Sequence, residues 1–157
     1  MISGYIEEMG KKAKEASKKL LTLDTRTKNK ALVMIAEELI NKKEEIKEAN
    51  RLDLEKGKKE GLSFALLDRL ELTDKRIEAM SQGLIAAFTD PIGEILSGWK
   101  HKNGMTIEKK RVPLGVLGII YESRPNVTID SAGLAIKSSN AVILRGSANA
   151  INSNIYL

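Results

Sequence analysis

The stretch Arg111 to Ser147, RVPLGVLGIIYESRPNVTIDSAGLAIKSSNAVILRGS, decides the fold. It reads as strand, polar turn, helix, strand and second polar turn in under about 40 residues, the size of one βαβ unit. Val116, Leu117, Ile119 and Ile120 form an apolar, β-branched-rich run without alternation, which predicts an interior strand covered on both faces. Pro125 removes a backbone donor and biases Arg124 away from the helical region, so a turn must come before any helix. Asn126 or Thr128 can cap that helix, and Ile129, Ala132, Gly133, Leu134 and Ile136 recur at helical spacing. Asn140 is expected to end it, with Ala141 to Leu144 making the second strand.

Parallel strands finish at the same edge of a sheet, so polar groups just past their ends converge on one ligand. Function is therefore expected at Tyr121 to Asn126 and at Arg145 to Ser147. Arg145 offers a fixed positive fork, while Gly146 and Ser147 offer close backbone approach and a hydroxyl ahead of another helix. That combination suits a phosphate or a ribose. The competing reading is an arginine that only closes a strand end with a salt bridge. Gly115 and Gly118 lie inside the first strand and no GxGxxG is present, so these glycines read as packing or a bulge.

Upstream the chain reads as helical. Ile2, Ile6, Met9, Ala13, Ala16 and Leu20 give a first helix with an apolar stripe. Asp24 or Thr25 can cap a second, carrying Leu32, Ile35, Ala36, Leu39 and Ile40; a third is expected over Lys43 to Lys56. Lys56 to Gly61, KGKKEG, reads as a solvated connection, and Ser63 and Thr73 as caps for Phe64 to Leu70 and Asp74 to Phe88. From Ile95 to Val112 the period changes. Asn103-Gly104 predicts a two-residue type I′ hairpin loop, pairing Lys102 with Met105, Lys100 with Ile107 and Trp99 with Glu108. A two-stranded ribbon is marginal alone, so Trp99, Met105 and Ile107 need cover from elsewhere.

The net charge of +5 comes from lysines interleaved with glutamates, aromatics make up only 4%, and no nucleic-acid motif appears, so a nucleic-acid partner is not expected. The excess could instead steer anionic ligands. His101 is the only histidine and has no ligand-type neighbours at suitable spacing, so no metal is expected. No apolar run has the length of a membrane span and the first residues lack a signal-peptide core, which leads to an expected cytoplasmic, non-membrane location.

Val112-Pro113-Leu114-Gly115-Val116, Ile119 through Asn126, and Ser139 through Ser147 resemble the aldehyde dehydrogenase superfamily. The YESRPNVT wording is similar, more narrowly, to the gamma-glutamyl phosphate reductase family, and Ala49 to Leu54, Leu66 to Leu70, Thr73, Asp90-Pro91 and Gly93 agree with it. The resemblance covers essentially the whole chain. It implies an α/β fold with N-terminal helices (1–91), a β-hairpin arm (92–112) and the start of a Rossmann-like parallel sheet (113–157). It also implies an NADP cofactor, an acyl-phosphate substrate (L-glutamate 5-phosphate, reduced to the semialdehyde) and a homo-oligomer joined through the hairpin, the alternative being an intrachain flap.

Residue by residue, the resemblance puts Ile120, Tyr121, Glu122, Arg145, Gly146 and Ser147 along the cofactor. Arg145-Gly146-Ser147 stands where most relatives carry lysine-proline-serine. Ser123 falls at an oxyanion-hole position usually held by asparagine, and Arg124 and Asn126 are candidate partners for the substrate's charged groups. The alternative for this segment is a structural turn around Pro125. In the family a cysteine thiolate attacks the acyl phosphate, and this chain has no cysteine. The chain is therefore expected to be an N-terminal fragment that is inactive by itself; the alternative is a noncatalytic nucleotide-binding or assembly module.

Overall fold

Side-chain caps set three of the helix starts in the upstream half, as the residue pattern predicts. The computed structural model describes residues 2–86 and 90–157. Helix α1 spans Ile2–Leu20 and α2 Thr25–Asn41, where the Asp24 side chain accepts from Thr27 N at 2.7 Å. Helix α3 spans Lys43–Lys59. Ser63 and Thr73 cap α4 (Phe64–Leu70) and α5 (Asp74–Ile85), each accepting from the backbone three residues on. The expected end of α5 at Phe88 lies outside the described residues. On α1 the stripe is narrower than expected: Met9, Ala13 and Leu20 are half-buried, whereas Ile6 and Ala16 are exposed.

The expected solvated loop KGKKEG is instead mostly helix, because α3 runs on to Lys59. Gly57 is buried there, and a Cβ on it would come within 2.8 Å of Leu62 Cδ1. The glycine admits the α3–α4 connection rather than breaking the helix. The turn comes later, at Gly61, whose φ is +74°.

Strands β1 (Ile95–Lys100) and β2 (Thr106–Lys110) form the antiparallel hairpin, but in a different register from the one expected. Trp99 pairs with Ile107 and Lys100 with Thr106. Gly104 alone takes positive φ, at +90°, with its N–H on the His101 carbonyl at 2.9 Å. The loop thus has three residues ending in a left-handed glycine, the next most common hairpin geometry, and not a type I′ pair. Trp99 and Met105 are each 55% exposed, so within this chain the ribbon's apolar side chains are largely uncovered.

Strands β3 (Val116–Ile120) and β4 (Ala141–Arg145) pair in parallel, joined by α6 (Asn126–Lys137). A 3-10 turn at Ala148–Ala150 then leads into α7 (Ile151–Tyr156). Two details of this unit differ from expectation. Neither Asn126 nor Thr128 caps α6: Pro125 occupies the cap position in helical conformation without a side-chain bond, and Asn126 instead donates to Asp130 at 3.0 Å. At the other end Ser139, at φ +55°, takes the left-handed position and Asn140 follows it. Ser139 N bonds the Ile136 carbonyl and Asn140 N the Ala135 carbonyl, the double closure of a Schellman motif.

Among the described residues β4 alone pairs with β3, so the strand is not the interior one predicted, and its last residue, Ile120, is 76% exposed instead of covered. The main core lies elsewhere, among Leu32, Ala36, Leu39, Ile46, Ile77, Met80, Leu84 and Ile129, and so joins α2, α3 and α5 to α6. Gly133 of α6 faces Leu84 closely. In the first turn of α2, buried Lys28 bonds Asp90 at 2.5 Å and Ser139 Oγ at 2.9 Å, tying the upstream helices to the α6 terminus. No helix among the described residues is long and apolar enough to cross a membrane.

Candidate functional site

The two polar turns meet where β3 and β4 end. Ile120 pairs with Arg145, and Tyr121 N donates to the Arg145 carbonyl at 3.1 Å. Tyr121 lies half-buried; its hydroxyl stands 2.6 Å from Thr128 Oγ1 on α6, which donates in turn to Asn154 Oδ1 on α7 at 3.1 Å. Gly146 is packed under this chain of hydroxyls: a Cβ there would stand 3.1 Å from Tyr121 Cζ and 3.2 Å from Asn154 Cγ. One polar pin therefore holds both turns and both flanking helices. The glycine in Arg145-Gly146-Ser147 is dictated by that packing.

Ser147 Oγ accepts from Asn149 N at 3.2 Å, starting the 3-10 turn and leaving its own proton to donate. Behind it, α7 is fixed by a buried acid. Asp53 of α3 accepts from the Asn152 N–H and side-chain amide and from the Ser153 N–H and hydroxyl, at 2.7–3.2 Å. Asn50, one turn earlier, donates to the Leu70 carbonyl and Ser153 Oγ and accepts from Leu72 N. Arg145 is exposed and engages no carboxylate among the described residues, so the salt-bridge reading of that residue has no partner here.

The turn from Glu122 to Asn126 is tight, with Arg124 N on the Glu122 carbonyl at 2.9 Å. Ser123 and Pro125 are buried, whereas Glu122 and Arg124 are exposed. Arg124 and Asn126 line a cleft of about 350 Å³ that is walled also by α4, α5 and the loop between them, and Arg145 is not among its walls. Its other walls include Asp68, Arg69, Glu71, Arg76, Met80 and Asp130.

With this geometry in hand, the comparisons with known proteins are specific. The chain is 60% identical over 154 residues to a gamma-glutamyl phosphate reductase from Campylobacter curvus, covering 97% of this chain and 35% of that protein. The crystal structure of a gamma-glutamyl phosphate reductase from Thermotoga maritima superposes with a TM-score of 0.90 at 47% identity, over 94% of this chain and 36% of that one. The chain is homologous to the gamma-glutamyl phosphate reductases. It spans about a third of the length of these relatives. A propionaldehyde dehydrogenase from Clostridium phytofermentans matches with a TM-score of 0.59 at 15% identity, covering 92% of this chain and 30% of that one. That likeness places the fold with the aldehyde dehydrogenases. No protein-family model matches the chain.

Among gamma-glutamyl phosphate reductase homologues this chain thus brings Ile120, Tyr121, Arg145, Gly146 and Ser147 to one rim. It carries Arg124 and Asn126 round to a separate cleft, with Ser123 buried in the turn between. Sequence reasoning offered Thr128 only as a helix cap, placed Arg69 only within the Leu66 to Leu70 resemblance, and gave no role to Asn154 or Glu71. Thr128 and Asn154 form the pin instead, and no local signal marks a hydroxyl on one helix as the partner of an amide on another. Asn50 and Asp53 did stand out, as part of the Ala49 to Leu54 resemblance, but their work at α7 lies about a hundred residues away in sequence.

Proposed function

We propose that this chain is the cofactor-side part of an NADPH-dependent reductase, converting L-glutamate 5-phosphate to L-glutamate 5-semialdehyde in proline synthesis in the cytoplasm. The observation that supports it best is the union of the Tyr121 and Gly146 turns at the ends of adjacent parallel strands, where ligands of such sheets bind. The residues suit NADP. Arg145 has an uncommitted guanidinium to take a 2′-phosphate, Gly146 lets the backbone approach, and Ser147 keeps a proton for a ribose hydroxyl. The exposed Ile120 face and Glu122 extend along the same rim. When bound, NADPH supplies the hydride.

On the substrate side, Ser123 is the candidate donor to a developing oxyanion, and Arg124 and Asn126 to the substrate's charged groups. The covalent step needs a thiolate, and these 157 residues include no cysteine, so this chain alone is expected not to turn over. The uncovered hairpin, with Trp99 and Met105 outward, is the surface proposed to pair subunits in a homo-oligomer. Titration of the purified chain with NADPH and NADH, followed by nucleotide fluorescence, tests the reading. Tighter binding of NADPH supports it and no nucleotide binding overturns it; reductase turnover by the rigorously purified chain would overturn the expectation that these residues are inactive alone.

A further inference from the structure

The cleft between α4, α5 and the start of α6 holds charge that the fold does not consume. Arg76 is spent: it donates to the carbonyls of Asp68 and Glu71 and to Asp68 Oδ1, fixing the α4–α5 junction as a preformed wall. Asp130 takes the Asn126 amide. Arg69, Arg124 and Glu71 line the same cleft, and their charged side chains make no hydrogen bond or ion pair among the described residues. Buried Leu72 and Met80 give it an apolar floor. The N-terminal turn of α6, whose aligned peptide dipoles favour an anion, opens into it through Asn126.

Two uncommitted forks suit a carboxylate, one uncommitted carboxylate suits an ammonium, and the floor suits a short methylene chain. A cleft of about 350 Å³ has room for a small amino acid, and its mixed charge does not suit a simple anion. We propose that this cleft binds the α-amino-acid end of the substrate, with Arg69 and Arg124 on the α-carboxylate and Glu71 on the ammonium. The acyl end then points toward Ser123, the neighbour of Arg124 in the turn. This assignment rests on the reductase reading above and adds Arg69 and Glu71 to it. It makes the site selective for an α-amino acid over the corresponding dicarboxylic acid.

Amide chemical-shift titration of the chain tests it, with L-glutamate, glutarate and inorganic phosphate as separate probes. L-glutamate is expected to shift residues 68–80 and 124–130, with glutarate at least fivefold weaker. Arg69→Ala and Arg124→Ala should weaken both organic probes about tenfold, while Glu71→Gln should erase the preference for L-glutamate and keep glutarate binding. Equal shifts from phosphate, shifts confined to other regions, or an unchanged preference in Glu71→Gln would overturn the proposal. The NADPH titration is independent: nucleotide binding without cleft shifts removes this site and keeps the reductase reading. Cleft shifts without nucleotide binding do the opposite.

Discussion

Replacing Gly146 by alanine tests whether the rim is held by packing. The glycine is not in the left-handed region, so the backbone would accept alanine, and the shorter list of unfolded conformations would by itself stabilise by about 0.4–1 kcal/mol. Against that, the new Cβ would stand 3.1 Å from Tyr121 Cζ and 3.2 Å from Asn154 Cγ, and closer still to the Asn154 amide nitrogen. These atoms cannot withdraw freely, because Thr128 Oγ1 holds both side chains. Overpacking at such a site costs about 1–3 kcal/mol, so a net loss of about 1–2 kcal/mol is expected. For a chain of 157 residues that lowers Tm by about 2–8 °C. Asn154→Ala alone should cost about 1 kcal/mol for its hydrogen bond, but it opens the space the new methyl needs. The double variant should therefore be more stable than the sum of the single losses by about 1 kcal/mol, measured by urea unfolding followed by circular dichroism. Strict additivity, or a Gly146→Ala chain as stable as the parent, would refute the packing argument.

Three further outcomes follow from the same contacts. Arg145→Ala should weaken NADPH more than NADH, and equal weakening of both would remove the 2′-phosphate assignment. Asp53→Ala should destabilise by about 3–5 kcal/mol, because four donors at the start of α7 lose a buried charged acceptor; a loss below about 1 kcal/mol in urea unfolding would mean that α7 is held otherwise. Burial pushes the Asp90 carboxyl up, but the bonds from Lys28, Thr25 and Ile92 and the Lys28 charge outweigh it and hold its pKa below the usual value. Its contribution to stability is thus full above the ordinary carboxylate range near about pH 4 and is lost as pH falls through the depressed folded-state value. Lys28→Met should cost about 3 kcal/mol at neutral pH and flatten that acid dependence; an unchanged acid limb in the variant would show that Asp90 is not its source.

How much of the site was legible depended on whether its physics was local. Ser63 and Thr73 cap the helices read from them because an N-cap bond closes within three residues. The strands around α6 were legible because short apolar runs rich in β-branched residues and bounded by turns mark where strands begin and end. The hairpin register was misread because Asn103-Gly104 allows more than one loop, and the choice lies in the backbone of Gly104 rather than in the pair of residue types. KGKKEG is solvent-exposed, as its charge suggests, except at Gly57, but most of it continues α3 instead of forming a loop, and Leu62 and Leu67, brought back by the next turn, cover that glycine.

Residue type and short-range spacing were enough for the βαβ order, the rim positions at Tyr121 and Arg145, and the absence of a thiol. Packing alone settled that Thr128 and Asn154 pin the rim, that Asp53 anchors α7, and that Arg124 shares a cleft with α4 and α5. Those facts depend on pairs between 26 and 100 residues apart, whose approach is set by how helices pack and not by any pattern along the chain.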